Sequence, residues 1–177
     1  MTPPPAVSPV TSPARRRGVT AAATVVAVTA LLAATATTAS AVELLPAPVP
    51  AVDPLALTVL DETNAARAAV GCAPLLLVDP LVATAADHSG EMARTGLMTH
   101  TGADGSTPRI RLQAHGVSAA RTAENVARGF DAATVVDAWL ASPGHRANIL
   151  DCRLGQVGIA QAPGAGGLYW TQVLTSA

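Results

Sequence analysis

Residues 139–150 read Trp-Leu-Ala-Ser-Pro-Gly-His-Arg-Ala-Asn-Ile-Leu. Trp139 and Leu140 end an apolar helical stripe, and Ser142-Pro143 opens another helix. A capping oxygen there precedes a proline, whose missing N–H costs nothing at the first helical position. The stretch therefore predicts a helix–helix junction carrying a Ser, a His, an Arg and an Asn. Nowhere else in the chain are so many reactive side chains gathered in so few positions.

Working outward, the same start signal recurs at Asp53-Pro54, Asp79-Pro80 and Thr107-Pro108. Helices are predicted from Pro54 to Val70, Pro80 to Thr95 and Pro108 to His115, each followed by glycine, with a further one capped by Asp131. Ala56, Val59, Leu60, Thr63, Ala66 and Val70 form the buried stripe of the first. Asn64 and Arg67 stand at its border, placed to bond neighbouring segments. Leu81, Ala85, His88 and Met92 share the inner face of the second, which makes His88 a core histidine rather than a ligand. His115, in the last turn of the third, suits the helix dipole. Ala123–Gly129 reads as a short strand or an extended loop. Val157–Ala162 and Leu168–Leu174 read as an antiparallel hairpin around the glycine-rich Pro163–Gly167. Helices first and strands last, with no βαβ alternation, predict α+β with helices on a small antiparallel sheet.

The chain has 177 residues, half of them apolar, enough for one domain with a full core. Arg15-Arg16-Arg17 precede an uncharged run from Gly18 to Val42, and Ala39-Ser40-Ala41 supplies small residues. This is the pattern of a secretory signal (residues 1–41) cleaved after Ala41, the alternative being an uncleaved membrane anchor. Residues 42–52, with Pro46, Pro48 and Pro50, read as a stiff linker to a domain at 53–177. From Val42 onward eight Arg face twelve acidic residues, a net charge of −4. That balance argues against nucleic acid and anionic membranes as partners. In an exported chain the two cysteines, Cys72 and Cys152, most simply form one disulfide.

Several motifs in order carry a family resemblance: Asn64…Arg67, Leu81…His88…Met92, His100…Asp104-Gly105, and Glu124-Asn125. They continue with Trp139…Ser142-Pro-Gly-His145-Arg-Ala-Asn-Ile-Leu150, Val157-Gly158-Ile159 and Tyr169-Trp170-Thr-Gln172. From Leu55 to Leu174 the chain resembles the CAP superfamily (cysteine-rich secretory, antigen 5 and pathogenesis-related-1 proteins; the SCP domain) in its bacterial secreted form. The resemblance implies an α-β-α sandwich around a central antiparallel sheet. It also implies a cleft in which two His and two acidic residues bind a divalent metal, often zinc. By motif the metal set falls on His100, Glu124 and His145, with Ser142 where the second acid is expected. The resemblance implies an extracellular ligand as well: a lipid or sterol, cell-wall material or another protein.

Two imidazoles, one carboxylate and water would make a weak zinc shell with an open position. The alternative is a hydrogen-bonded polar network that holds the loops over the sheet. Ser142, His145 and Glu124 include the residue types of a nucleophile, base and orienting acid. However, Ser142 is already accounted for as a cap, and no Gly-x-Ser-x-Gly elbow or His-Glu-x-x-His pair is present. The sequence thus predicts a non-enzymatic binding module. A metal-dependent hydrolase with Glu124 as base is the alternative.

Overall fold

A computed structural model describes residues 53–177; the expected signal segment and linker lie outside the described residues. Five helices and four strands follow in the order α1 (Pro54–Ala68), β1 (Leu76–Leu77), α2 (Asp79–Thr95), α3 (Pro108–Ala114), β2 (Thr122–Arg128), α4 (Val135–Ala141), α5 (Pro143–Ile149), β3 (Gln156–Gly164) and β4 (Gly167–Thr175). No helix among the described residues is long and apolar enough to cross a membrane.

The helix starts follow the sequence in part. Asp53 accepts from the Leu55 N–H and Thr107 from the Ile110 N–H, as capping requires. Asp79 does not cap: it is already the first residue of α2, behind Val78. Ser142 stands at the start of α5 in extended conformation, but its hydroxyl makes no capping bond. Asp131 accepts from the Thr134 hydroxyl in a turn that precedes α4, whose first residue is Val135. In α1 the stripe ends early: Val70 is exposed, while Arg67 is completely buried.

The sheet order is β1-β3-β4-β2. β3 and β4 pair antiparallel from Gln156↔Thr175 to Gly164↔Gly167, leaving only Ala165 and Gly166 as the turn. Gly166 and Gly167 both have positive φ, which a tight hairpin turn uses and glycine supplies without strain. β4 then pairs antiparallel with β2, and β1 joins β3 parallel through Leu76 and Leu77. The sheet is antiparallel except for this two-residue edge, which the sequence reading did not anticipate.

Alternation of side chains divides the two faces. One face presents Val157, Ile159, Trp170 and Leu174 to α1, α4 and α5, where Val59, Val136, Trp139 and Ile149 complete the larger core. The other presents Ala160 and Val173 to Leu81, Ala85 and Leu112, and Val126 and Tyr169 to Met92. Helices therefore cover both faces, giving the α-β-α sandwich. Gly158 lets α2 lie close: a Cβ there would stand 2.0 Å from the Leu81 carbonyl carbon.

Two clamps secure the segment after α5. Cys72 and Cys152 form a disulfide with their Cα atoms 4.9 Å apart. Beside it, Arg67 donates to the carbonyls of Ala73, Ile149, Asp151 and Leu154 at 2.8–3.0 Å. Asn64 adds a reciprocal pair of bonds with the Leu75 backbone.

Candidate functional site

β2 is an edge strand, and its alternation sends consecutive residues to opposite sides of the sandwich. Glu124 points to the α2–α3 side and Asn125 to the α1–α5 side. Asn125 donates to Gln172 Oε1 and accepts from Asn148 of α5, and Gln172 continues to Thr63 of α1. Asn148 also donates to the Glu124 carbonyl. This buried amide chain fixes α5 against the strand and so sets where His145, in the first turn of α5, can stand.

On the other side Glu124 is almost fully buried. Its Oε1 accepts from His100 Nδ1 at 2.9 Å and its Oε2 from Arg111 Nη2 at 2.7 Å. The carboxylate is thereby charge-compensated by a buried guanidinium, which also donates to the Ser106 and His100 carbonyls. Arg111 falls in the motif order that carries the resemblance, between Asp104-Gly105 and Glu124-Asn125, but the sequence reading gave it no site role. His88 is a core histidine as predicted, donating from Nε2 to the Thr99 carbonyl at 2.7 Å. Glu91, one turn on, accepts from the Ala103 N–H. α2 thus anchors the loop bearing His100 at two points. His115 is not held by the helix dipole alone: its Nε2 pairs with Asp87 at 2.8 Å.

The predicted residues converge, then, on the outer edge of β2. The rings of His100 and His145 are 6.4 Å apart, centroid to centroid, and tilted by 56°. Two imidazoles sharing a tetrahedral zinc stand about 5 Å apart, since each centroid lies about 3.2 Å from an ion bound at 2.0–2.1 Å, so these rings would close by about 1 Å to share one. The bond from Nδ1 to Glu124 leaves Nε2 as the open nitrogen of His100. A carboxylate behind an imidazole is the usual orienting arrangement for a metal-binding histidine. The side chains present therefore fit an ion held by two imidazoles, with Glu124 orienting one of them. Among the described residues no three His, Cys, Asp or Glu side chains form a ready-made shell. Ser142 and His145 line the same cavity, but no hydrogen bond joins them among the described residues.

Burial lowers the pKa of His145, and the neighbouring His100 lowers it further. The neutral, ligating form is favoured as a result. Because the folded state binds this proton less readily than the unfolded chain, the group's contribution to stability is full above the ordinary histidine range. It falls as pH drops through that range toward the lowered folded value. In an NMR titration, His145 should titrate below an ordinary histidine, and His100→Ala should move it only part of the way back, since burial is the larger cause. An unshifted His145 would contradict the geometry.

Beyond the two histidines the same edge borders a cavity of about 290 Å³, between Met98, Phe130, Trp139 and the strand. Met98 and Phe130 are exposed at its rim.

Comparison with known proteins agrees with this architecture. Residues 60–174 match the model of the CAP family, described as the cysteine-rich secretory protein family. Among solved structures, an extracellular protein containing a SCP domain from Bacillus anthracis superposes with a TM-score of 0.64 at 25% identity. That match covers 70% of this chain but 40% of the other, so the chain spans well under half of that relative. An outer surface protein from Borrelia burgdorferi gives 0.60 at 25% identity, over 66% of this chain and 87% of that one. A cysteine-rich secretory protein from Staphylococcus aureus gives 0.58 at 22% identity, over 70% and 38%, and shares the fold. No curated protein matches the chain.

Proposed function

Because the chain belongs to the cysteine-rich secretory protein (CAP) family, we propose that it is an exported, non-enzymatic binding module whose ligand site is the cleft along the β2 edge. Residues 1–41 serve as its export signal and residues 42–52 as its linker. The observation that carries this reading is the state of Glu124. One of its oxygens accepts from His100 and the other from Arg111, and these two bonds hold the carboxylate as an orienting group behind the His100 ring. His100 and His145 are the open groups of the cleft, and a divalent cation such as zinc binds there weakly, with water or ligand completing its shell. The intact disulfide and the similarity to an extracellular and an outer surface protein support export.

The competing reading, a metal-dependent hydrolase, requires Glu124 to accept a proton from water while it is held between His100 and Arg111. A panel of peptides and esters incubated with the protein and zinc separates the two. The binding module gives no turnover that Glu124→Gln removes. Turnover lost in that variant would establish the hydrolase instead.

A further inference from the structure

We propose that a second cavity, between α2 and the loop that follows it, binds a primary alkylammonium group, supplied by a small free amine or by a lysine side chain of another molecule. Its lining shares no residue with the cavity along β2, and it stands independently of how that cleft is read.

The Nε2 bond accounts for only half of the core histidine in α2. His88 is 1% exposed, and its Nε2 lies 2.7 Å from the Thr99 carbonyl. A carbonyl only accepts, so Nε2 carries the proton and Nδ1 of the neutral ring is a lone-pair acceptor. That Nδ1 is buried with no hydrogen-bond partner among the described residues, a state uncommon enough in folded proteins to call for a reason. Glu91 Oε2 stands 3.7 Å from it, too far for a hydrogen bond, and neither atom has a hydrogen to give the other. The Glu91 carboxylate also accepts from the Ala103 N–H, and no arginine pairs with it among the described residues.

Two acceptors, one of them anionic, thus stand 3.7 Å apart, and one donor atom about 2.9 Å from each bridges them. Both residues line a cavity of about 170 Å³, whose wall also includes Met92, Leu97 and Ala103. A bridging water takes up about 30 Å³, whereas a cavity of about 150 Å³ holds a six-carbon ring, so an aliphatic stem as long as that of lysine fits behind the donor. Zinc fits less well: it takes about four protein or water ligands, and one imidazole and one carboxylate are at hand. The matching group is a cation with hydrogens to donate and an apolar stem, which describes an alkylammonium. A guanidinium spreads its donors to meet the two oxygens of one carboxylate, while these acceptors converge on a single point. The chain contains no lysine, so the group comes from another molecule.

The test follows the ring-nitrogen NMR signals of His88 while n-butylammonium chloride is added to the full chain. The Nδ1 signal should move as that atom accepts a hydrogen bond, with half-saturation at about 1 mM, in the range for a ligand of five non-hydrogen atoms. Glu91→Gln, which keeps an oxygen for the Ala103 N–H, should weaken binding at least tenfold. Leu97→Ala should weaken n-butylammonium about threefold and leave methylammonium unchanged, since only the longer stem reaches that side chain. Equal affinity for n-butanol overturns the proposal, because charge would then be irrelevant. Equal affinity for n-butyltrimethylammonium, which has no N–H, or for n-propylguanidinium overturns the single bridging nitrogen. A His88 signal that stays still up to about 50 mM leaves the cavity to water alone and overturns the site. A peptide with one lysine, beside the same peptide acetylated at Nζ, separates the two sources. Binding lost on acetylation assigns the group to a lysine side chain, and a response to the free amine alone assigns it to small amines.

Discussion

Arg67→Ala is expected to destabilise the protein by about 3–5 kcal/mol, because several buried carbonyls would lose their donor at about 1–3 kcal/mol each. The side chain is fully buried and donates to four backbone carbonyls. Three of these belong to Ile149, Asp151 and Leu154, in the segment that joins α5 to β3, a stretch with little regular structure to satisfy them. Burial lowers the arginine's pKa, and the charge of Asp151 opposes this. The carboxylate of Asp151 itself is engaged by Arg153, so the guanidinium is held chiefly by carbonyl dipoles. Alanine would leave several carbonyls facing a cavity. Urea unfolding at constant pH measures the loss; a change below about 1 kcal/mol, the scale of an ordinary single hydrogen bond, would contradict this account.

Removing the disulfide acts on the same segment from the unfolded side. Cys72 and Cys152 are 80 positions apart, and releasing a loop of that length costs about 4–5 kcal/mol in chain-entropy terms. The paired variant Cys72→Ser with Cys152→Ser should therefore lower the urea midpoint strongly, and reduction of the native protein should do the same. Because Arg67 and the disulfide clamp one segment, their effects should be non-additive. Loss of the disulfide frees the segment, so that Arg67→Ala then costs less. Unchanged midpoints after complete reduction would show that the clamp is redundant.

Much of this fold is legible where local chemistry decides it. Asp53 and Thr107 announce helix starts because each carries both the capping oxygen and the following proline. At Asp79 and Ser142 the same dipeptide pattern holds, but the hydroxyl or carboxylate is not used. There the proline alone marks the start, and its fixed φ suffices. β1 was invisible for a different reason. Leu76 and Leu77 lie in a short apolar run without alternation, and they become a strand only by pairing with β3 about eighty residues later. Val70 shows a helical stripe outlasting its helix, because α1 ends at Ala68.

The candidate site divides in the same way. His100, Glu124 and His145 were singled out by motif, and all three reach one strand edge. What motif could not supply is the role of Arg111. Its guanidinium donates to the second oxygen of Glu124, so that the carboxylate bridges His100 and Arg111. The amide chain from Thr63 through Gln172 and Asn125 to Asn148 was equally hidden, since its members are dispersed over four elements.

The cleft reading depends most directly on His100 and His145 acting together as its open groups. Calorimetric zinc titration of the purified protein beside its His100→Ala and His145→Ala variants tests this. The account predicts weak binding, with a Kd of about 100 µM (about −5.5 kcal/mol), weakened at least about tenfold by either substitution. Zinc binding that survives both substitutions unchanged would contradict it.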